Sequence, residues 1–478
     1  SDINSANIRF NVTGIIVDGG LGACDVTLRS AFRDNEPFYF SGTNTYTGKT
    51  EIENGTLFIQ GIQALSPDTH VRLNHTSGNN GKIWLLDDTA GTINLPNTFE
   101  IYTNNATGNH TIFVGNNNTA NGGTSSGTTT GTTVVISELN SVFLKGDTQY
   151  QEVNILGAND YSLQIDAVEL NNLTSRNAGD TTESRLNPTS ANVSIGDITM
   201  AAGNMGAGAD GVPLLVLKGT STGNEVTGVI SDASDALTTG QPLPLSKEES
   251  GTWTLSGANT YTGTTTVENG TLLVNGSLDP ASAVAVDGGI LGGSGTVGGT
   301  VTVASGAGMA PGASAGTLSI GGGLDISGLA GADAGSLDFE LDTIGASDQI
   351  AVTGSLTIGT DLLGLADFTF TDLGGLQNGT YTLISSGGLS GSLDPADVDG
   401  TLGLATIQLQ TSGDDIVLAV SGLAGGSLFE TWVGGSGVGL GFDEDKNGDG
   451  IDNGMAFLLG AADPDADVAL CFGGAITV

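Results

Sequence analysis

The sequence predicts an all-β chain wound as a right-handed parallel β-helix, or β-solenoid. Three observations predict it. An eight-residue phrase recurs, SGTNTYTG at Ser41–Gly48 and SGANTYTG at Ser256–Gly263, 215 positions later. Short apolar or β-branched runs alternate with Gly-rich corners, as in AVAVDGGILGGSGTVGGTVTVASGAGMAPGASAGTLSIGGGLDIS. Almost no stretch before the last fifty residues has room for a helix. Repeated short strands between Gly turns are the pattern of a coil that stacks on itself.

Composition agrees. The chain has 478 residues, of which 78 are Gly and only 11 Pro. Hydrophobic residues make up 38%, enough for a core, while aromatics are 5%, so the core is expected to be thin and aliphatic. A string of antiparallel sandwiches is the competing reading. It would show longer alternating strands and more core aromatics.

In chain order, residues 1–38 read as coils with weak signals. The first long repeat, FYFSGTNTYTGKTEIENGTLFIQG, spans Phe38–Gly61 and aligns with WTLSGANTYTGTTTVENGTLLVNG at Trp253–Gly276. From Ser41 to Gly61, 14 of 21 positions are identical, and apolar residues replace apolar ones (Ile52/Val267, Phe58/Leu273, Ile59/Val274). Each copy reads strand, Glu-Asn-Gly, strand. Asn-Gly tolerates positive φ, so it marks either a hairpin or a corner of a winding coil. Asn44 and Asn259 are candidates for a stacked amide column. Tyr46 and Tyr261 are expected to fix the turn, and Gly48 and Gly263 to let the next strand start.

Further strands are expected at Val71–Leu73, Lys82–Leu86, Thr92–Leu95, Thr98–Tyr102 and His110–Val114. Residues 115–133 and 171–191 read as polar loops. After the second repeat come Ala283–Val286, Thr296–Val297, Thr300–Val303, Thr317–Ile320 and Leu324–Ile326. Leu337–Leu341, Gln349–Val352, Tyr381–Ile384, Ala405–Leu409 and Ile416–Val420 follow. The expected organisation is a first solenoid part over 1–214, a second over 215–420, and a distinct segment over 421–478. At some 20–25 residues per coil, about 15–19 coils would stack into a rod of roughly 80 Å.

The repeat resembles the autotransporter-associated β-strand repeat, also called the passenger-associated transport repeat. The resemblance covers about Leu215–Gly323, including LVLKGTSTGNEVTGVISDAS, ILGGSGTVGGTVTV and APGASAGTLSI, and also Phe38–Gly61. It implies an exported bacterial β-helix at the cell exterior, with structural rather than catalytic repeat residues. Ten-residue amphipathic strands with aromatic girdles are not visible, so a C-terminal membrane barrel is not expected within this sequence.

The tail carries GFDEDKNGDGIDNGMAFLLGA. Asp443, Asp445, Asn447, Asp449 and Asp452 place oxygen ligands across ten residues, with Gly448 and Gly450 permitting tight turning. The carbonyl of Ile451 and the side chain of Asn453 would complete a shell for a hard cation, so calcium is the expected cofactor. The stretch is not an EF-hand, because neither register puts a Glu at position 12. It looks like the DxDxNGDGxxN loops of thrombospondin type 3 repeats and dockerin-like modules. A solvated acidic loop is the alternative.

Charge excludes some partners. Twelve Lys and Arg face 52 Asp and Glu, a net charge of −40. Phosphate binding needs clustered cations, so nucleic acid is not an expected partner. No 18-residue apolar run suggests a membrane span. Cys24 and Cys471 form neither a disulfide framework nor a zinc site.

Catalysis is not expected. Lys49, Arg72, Lys82, Lys145, Arg176 and Arg185 read as isolated, so no lyase base is apparent. Asp87-Asp88 and Asp414-Asp415 are neighbours in sequence, which on a strand point to opposite faces. His70, His75 and His110 lack metal-ligand spacing. The reading is an extracellular or cell-surface structural protein. Exposed strand edges would favour self-association into a filament or surface layer. An adhesin for cell-surface glycans or cells is the second reading, and a carbohydrate-active β-helix enzyme the third.

Overall fold

The computed structural model describes residues 10–20, 22–29, 37–76, 79–103, 108–116, 128–143, 149–172, 182–200, 213–232, 242–312, 314–329 and 336–423. They form a parallel β-solenoid with three walls. In each coil the chain passes the first wall, then the second, then the third.

The first wall stacks fifteen rungs among the described residues, from Phe10–Val12 to Gly388–Leu393, every neighbouring pair parallel. At about 4.8 Å per rung this is a stack of about 70 Å. Pairing continues without a break through Pro213–Leu217, between Thr182–Pro188 and Leu245–Lys247. Coil length is uneven. Val284 pairs with Val301, 17 residues on, whereas Ile112 pairs with Ile155, 43 residues on.

In the first half, the long strands Thr92–Thr103, Thr133–Phe143, Ser162–Asn172 and Val193–Met200 serve the second wall with their first residues and the third with their last. The register shifts between Leu95 and Thr98, where the first of them bends. In the second half the third wall becomes a sheet of its own, through Ser277–Leu278, Thr296–Val297, Thr317–Ile320, Gln349–Val352 and Gly379–Ser385.

The interior follows from period-two alternation. Leu57 and Ile59, Ile83 and Leu85, Ile112 and Val114 point inward and are buried, in one cluster running from Leu28 to Val420. Phe58 points outward between its buried neighbours. It joins Tyr39, Trp84 and Phe113 in an aromatic column on the first wall, with centroid spacings of 4.8, 5.2 and 4.0 Å. Offset stacking of this kind adds about 1 kcal/mol per pair beyond area burial.

The two repeat copies do not occupy the same walls. In the first, Pro37–Phe40 lies on the first wall, Thr50–Ile52 on the third, and Gly55–Gln60 on the first again. In the second, Thr252–Leu255 lies on the second wall, Thr265–Val267 on the first, and Thr271–Val274 on the second. The phrase is rotated by one wall of three. Asn-Gly is therefore a corner and not a hairpin, with Gly55 at φ 102° and Gly270 at φ 67°.

Two expectations change. The segment read as a loop over 171–191 contains the strand Thr182–Pro188. Its inward positions include Thr182 and Ser184 and its outward ones Glu183 and Arg185, so no apolar alternation shows. The last strands do not continue the winding. Gly379–Ser385 pairs antiparallel with Asp415–Ser421, which pairs antiparallel with Ala405–Ser412, which in turn pairs with Asp399–Leu402. Ile407, Leu409, Ile416 and Leu418 from this cap are buried in the same core cluster.

Several segments outside the described residues lie in sequence between strands of the same two walls. Residues 30–36, 77–78, 104–107, 144–148, 173–181, 201–212 and 233–241 all connect the third wall to the first. Residues 117–127 and 330–335 connect the first wall to the second. Asp443, Asp445, Asn447, Asp449, Ile451, Asp452 and Asn453, the residues expected to hold calcium, also lie outside the described residues, as does Cys471.

Candidate functional site

The recurring phrase builds one device twice. Asn44 and Asn259 are buried. Asn44 Oδ1 accepts from the Ile16 amide (2.8 Å), and its Nδ2 donates to the Ala64 carbonyl (2.5 Å). Asn259 Oδ1 accepts from the Ile230 amide (2.9 Å), and its Nδ2 donates to the Gly257 and Ser277 carbonyls (3.0 and 3.1 Å). Each Asn thus clamps the coil before it to the coil after it. The two do not share an amide column, because they sit on different walls.

Tyr46 and Tyr261 are fully buried and bond Thr50 (2.5 Å) and Thr265 (2.7 Å). Burial pushes the Tyr261 hydroxyl up to about 12. Thr69 and Ser282, one coil on, reach back to the carbonyls of Gly48 and Gly263. A Cβ at Gly48 would collide with the Cys24 carbonyl, and one at Gly263 with Leu243. Close backbone approach, rather than positive φ, is what requires glycine there. An unforeseen partner completes the device. Asp18 accepts from the amide and hydroxyl of Thr47 (2.9 and 2.7 Å), and Asp232 does the same for Thr262. Both Asp residues precede their Thr by about one coil, a spacing that signals nothing until coil length is known.

Charged side chains gather in two outward ladders. On the third wall, Glu100 Oε2 accepts from His70 (2.5 Å) and Arg72 (3.0 Å), while Glu51 takes Lys49 (2.7 Å) and Asn74 (2.8 Å). Burial would raise the Glu100 carboxyl, but the His70 hydrogen bond and the Arg72 charge hold it below its usual value. Arg72 also lies over the Tyr102 ring at 4.5 Å. On the first wall, Glu152 receives Lys218 (3.1 Å), Asn187 (3.0 Å) and Arg185 (3.8 Å). Glu183 pairs with Arg185, and Glu249 with Lys218 (3.2 Å). Arg185 covers the Tyr150 ring at 4.0 Å. Lys49, Arg72 and Arg185 are therefore not isolated. Parallel stacking brings together residues about 20 to 65 positions apart.

Lys247 faces the interior and is fully buried. Its ammonium donates to the carbonyls of Glu248 (2.7 Å), Glu249 (2.7 Å) and Asn269 (3.0 Å). Desolvation pulls it down to about 8.

The adjacent carboxylate pairs serve turns. Asp87 accepts from the amides of Ile62 and Thr89 (both 2.9 Å), and Asp88 from that of Thr129 (3.0 Å). The Thr129 amide bond holds Asp88 below its ordinary value. Asp414 accepts from Leu389 (3.3 Å) and Asp415 from Ser386 (2.9 Å). Among the described residues, no three His, Cys, Asp or Glu side chains are grouped to hold a metal, and no helix is long and apolar enough to cross a membrane.

Residues 38–58 and 245–274 match the family model of the passenger-associated transport repeat. These are the two corner devices with their flanking strands. No match to a curated protein was found.

Proposed function

We propose that the protein is the rigid, non-catalytic β-solenoid of an exported bacterial surface protein, and that it self-associates into an extracellular filament or surface layer. One observation carries this reading: the transport-repeat segments act as clamps between coils in a continuous fifteen-rung stack. Their polar groups are committed to backbone partners inside the rod and not turned toward a substrate. The export and surface location follow the matched repeat.

The cap narrows how copies can join. At the C-terminal end of the described residues the third wall ends in antiparallel strands, so coil-on-coil parallel stacking does not extend through it. Association by strand addition at Asp399–Leu402, which pairs with Ala405–Ser412 on one side, suits the geometry better. Electron microscopy of the purified protein in negative stain tests this. Rods joined in files or sheets support the reading; strictly separate rods at all concentrations remove it.

A surface adhesin for glycans or cells is the second reading. It is favoured by the sequence position of seven polar segments between the third and first walls, since insertions at one place in a repeat fold are often its binding face. Binding on a glycan array by monomeric rods would favour it over the filament. Cleavage of pectin or alginate would instead establish an enzyme. For the tail, calcium held by Asp443, Asp445, Asn447, Asp449, Asp452, Asn453 and the Ile451 carbonyl remains our proposal, on the chemistry of the oxygen donors.

A further inference from the structure

We propose that Lys218 and Asn187 join in an intramolecular amide cross-link between neighbouring coils, promoted by Glu152. Leu217 is the register partner of Leu186, and the Lys218 amide donates to the Leu186 carbonyl at 2.8 Å. Lys218 and Asn187 thus stand one rung apart, both turned outward. Glu152, one rung further back, touches both: its Oε2 receives Lys218 Nζ at 3.1 Å and its Oε1 receives Asn187 Nδ2 at 3.0 Å.

All three side chains are largely withdrawn from water. Lys218 and Glu152 keep 12% and 13% of their side-chain exposure, and Asn187 is buried. Trp253, itself buried, donates its indole N–H to the Lys218 carbonyl at 2.8 Å and fixes that backbone. Asn187 Oδ1 is buried without a hydrogen-bond partner among the described residues. A buried carbonyl oxygen in that state calls for a donor.

The chemistry balances without an added reagent. Burial would lower the Lys218 ammonium, but its hydrogen bonds to Glu152 and Glu249 hold it above its usual value, so the free amine forms only as a carboxylate takes its proton. Glu152 takes a proton from Lys218, and the free amine attacks Asn187 Cγ. Protonated Glu152, whose Oε1 lies on Nδ2, passes its proton to that nitrogen, and its carboxylate then takes the second Nζ proton from the adduct. The Nζ–Cγ bond forms, the Cγ–Nδ2 bond breaks, and Glu152 hands this last proton to the departing ammonia, which leaves as ammonium and returns Glu152 to its carboxylate. Fixed neighbours replace a bimolecular encounter, which is why amide exchange proceeds without activation of the Asn.

A second Lys–Glu–Asn set supplies an internal control. Glu51 also bridges Lys49 (2.7 Å) and Asn74 (2.8 Å), and Asn74 Oδ1 is likewise buried without a partner among the described residues. Lys49, however, lies two residues before Glu51, and Asn74 two residues beyond its register partner Arg72. The two are separated by about 13 Å along the strands. No bond forms there.

Intact mass spectrometry of the denatured purified protein tests this. The expected mass is lower than that of the sequence by one ammonia per chain, with a branched peptide joining Lys218 to Asn187 and linear peptides at Lys49 and Asn74. Full mass overturns the proposal. So does ammonia loss mapped to a linear peptide, or water loss joining Lys218 to Glu152 or Glu249. Lys218→Arg and Glu152→Gln are each expected to restore full mass. A branched peptide persisting in Glu152→Gln would overturn the role given to Glu152. Should either variant fail to fold, the wild-type mass and peptide map still decide.

Discussion

Replacing Asn259 by Ala tests the corner device at one position. The side chain links backbone from three successive coils. Its Oδ1 is the acceptor for the Ile230 amide, and its Nδ2 serves the Gly257 and Ser277 carbonyls. Ser277 keeps a second donor, the Asn259 amide at 2.8 Å. The Gly257 carbonyl likewise keeps the Ser277 amide at 3.1 Å. The Asn259→Ala change therefore orphans one buried group, the Ile230 N–H. At about 1–3 kcal/mol for a group left unsatisfied, the loss is about 2 kcal/mol. A solenoid need not unfold in one step, so the loss belongs to the local coils and not to a global midpoint. Amide hydrogen exchange is the fitting assay. Ile230 and the amides of Thr271–Val274 should exchange roughly thirtyfold faster, since each 1.4 kcal/mol is a factor of ten. Asn44→Ala should do the same at Ile16, on another wall. Exchange changed less than threefold at Ile230 would refute the clamp.

Further outcomes follow from the same geometry. Tyr261→Phe and Tyr46→Phe each remove one buried hydroxyl bond, to Thr265 and Thr50, and should each cost about 1 kcal/mol of local stability, read as roughly fivefold faster amide exchange in the adjoining rungs. Gly263→Ala forces a methyl into the Leu243 backbone and should cost about 1–3 kcal/mol. Burial raises Asp348 to about 6 although the amides of Gly316 and Glu340 bond it. Its protonated form is thus favoured by folding, and its stabilising share is complete below pH 3.8 and lost as pH rises through 6. Melts across this window should fall with pH, and Asp348→Asn should flatten the fall. Added calcium should raise the melting temperature through the tail, and Asp445→Ala should abolish the shift; no shift in wild type would remove the calcium reading.

The parts of the fold legible in the sequence were those set by local chemistry. Leu337–Leu341, Gln349–Val352 and Thr317–Ile320 have the bounds that their alternation predicts. Asn-Gly marked both corners because only positive φ fits there. The charged ladders were not legible. Glu152 meets Arg185 33 residues on and Lys218 66 residues on, and no fixed period connects them because coils vary from 17 to 43 residues. The antiparallel cap was hidden for a different reason. Its strands Ala405–Ser412 and Asp415–Ser421 alternate like rungs, and the sign of reversal was the pair of tight turns at Gly403 (φ 59°) and Gly413 (φ 64°). Gly corners elsewhere in the chain look the same in sequence. That several polar runs fall between the third and first walls was not legible, since wall assignment needs the registers.

Cysteine trapping tests the stacked-coil account most directly, with one register pair on each wall in a background of Cys24→Ser and Cys471→Ser. The pairs are Ala285 with Thr302, Thr254 with Leu273, and Ser319 with Ala351. Neighbouring rungs hold Cα atoms about 5 Å apart, within disulfide reach. All three double variants are predicted to close an intramolecular disulfide on mild oxidation, while Ala285 with Ser319, on different walls, stays reduced. Failure of the register pairs, with closure of the off-register pair, would contradict the solenoid and the function built on it.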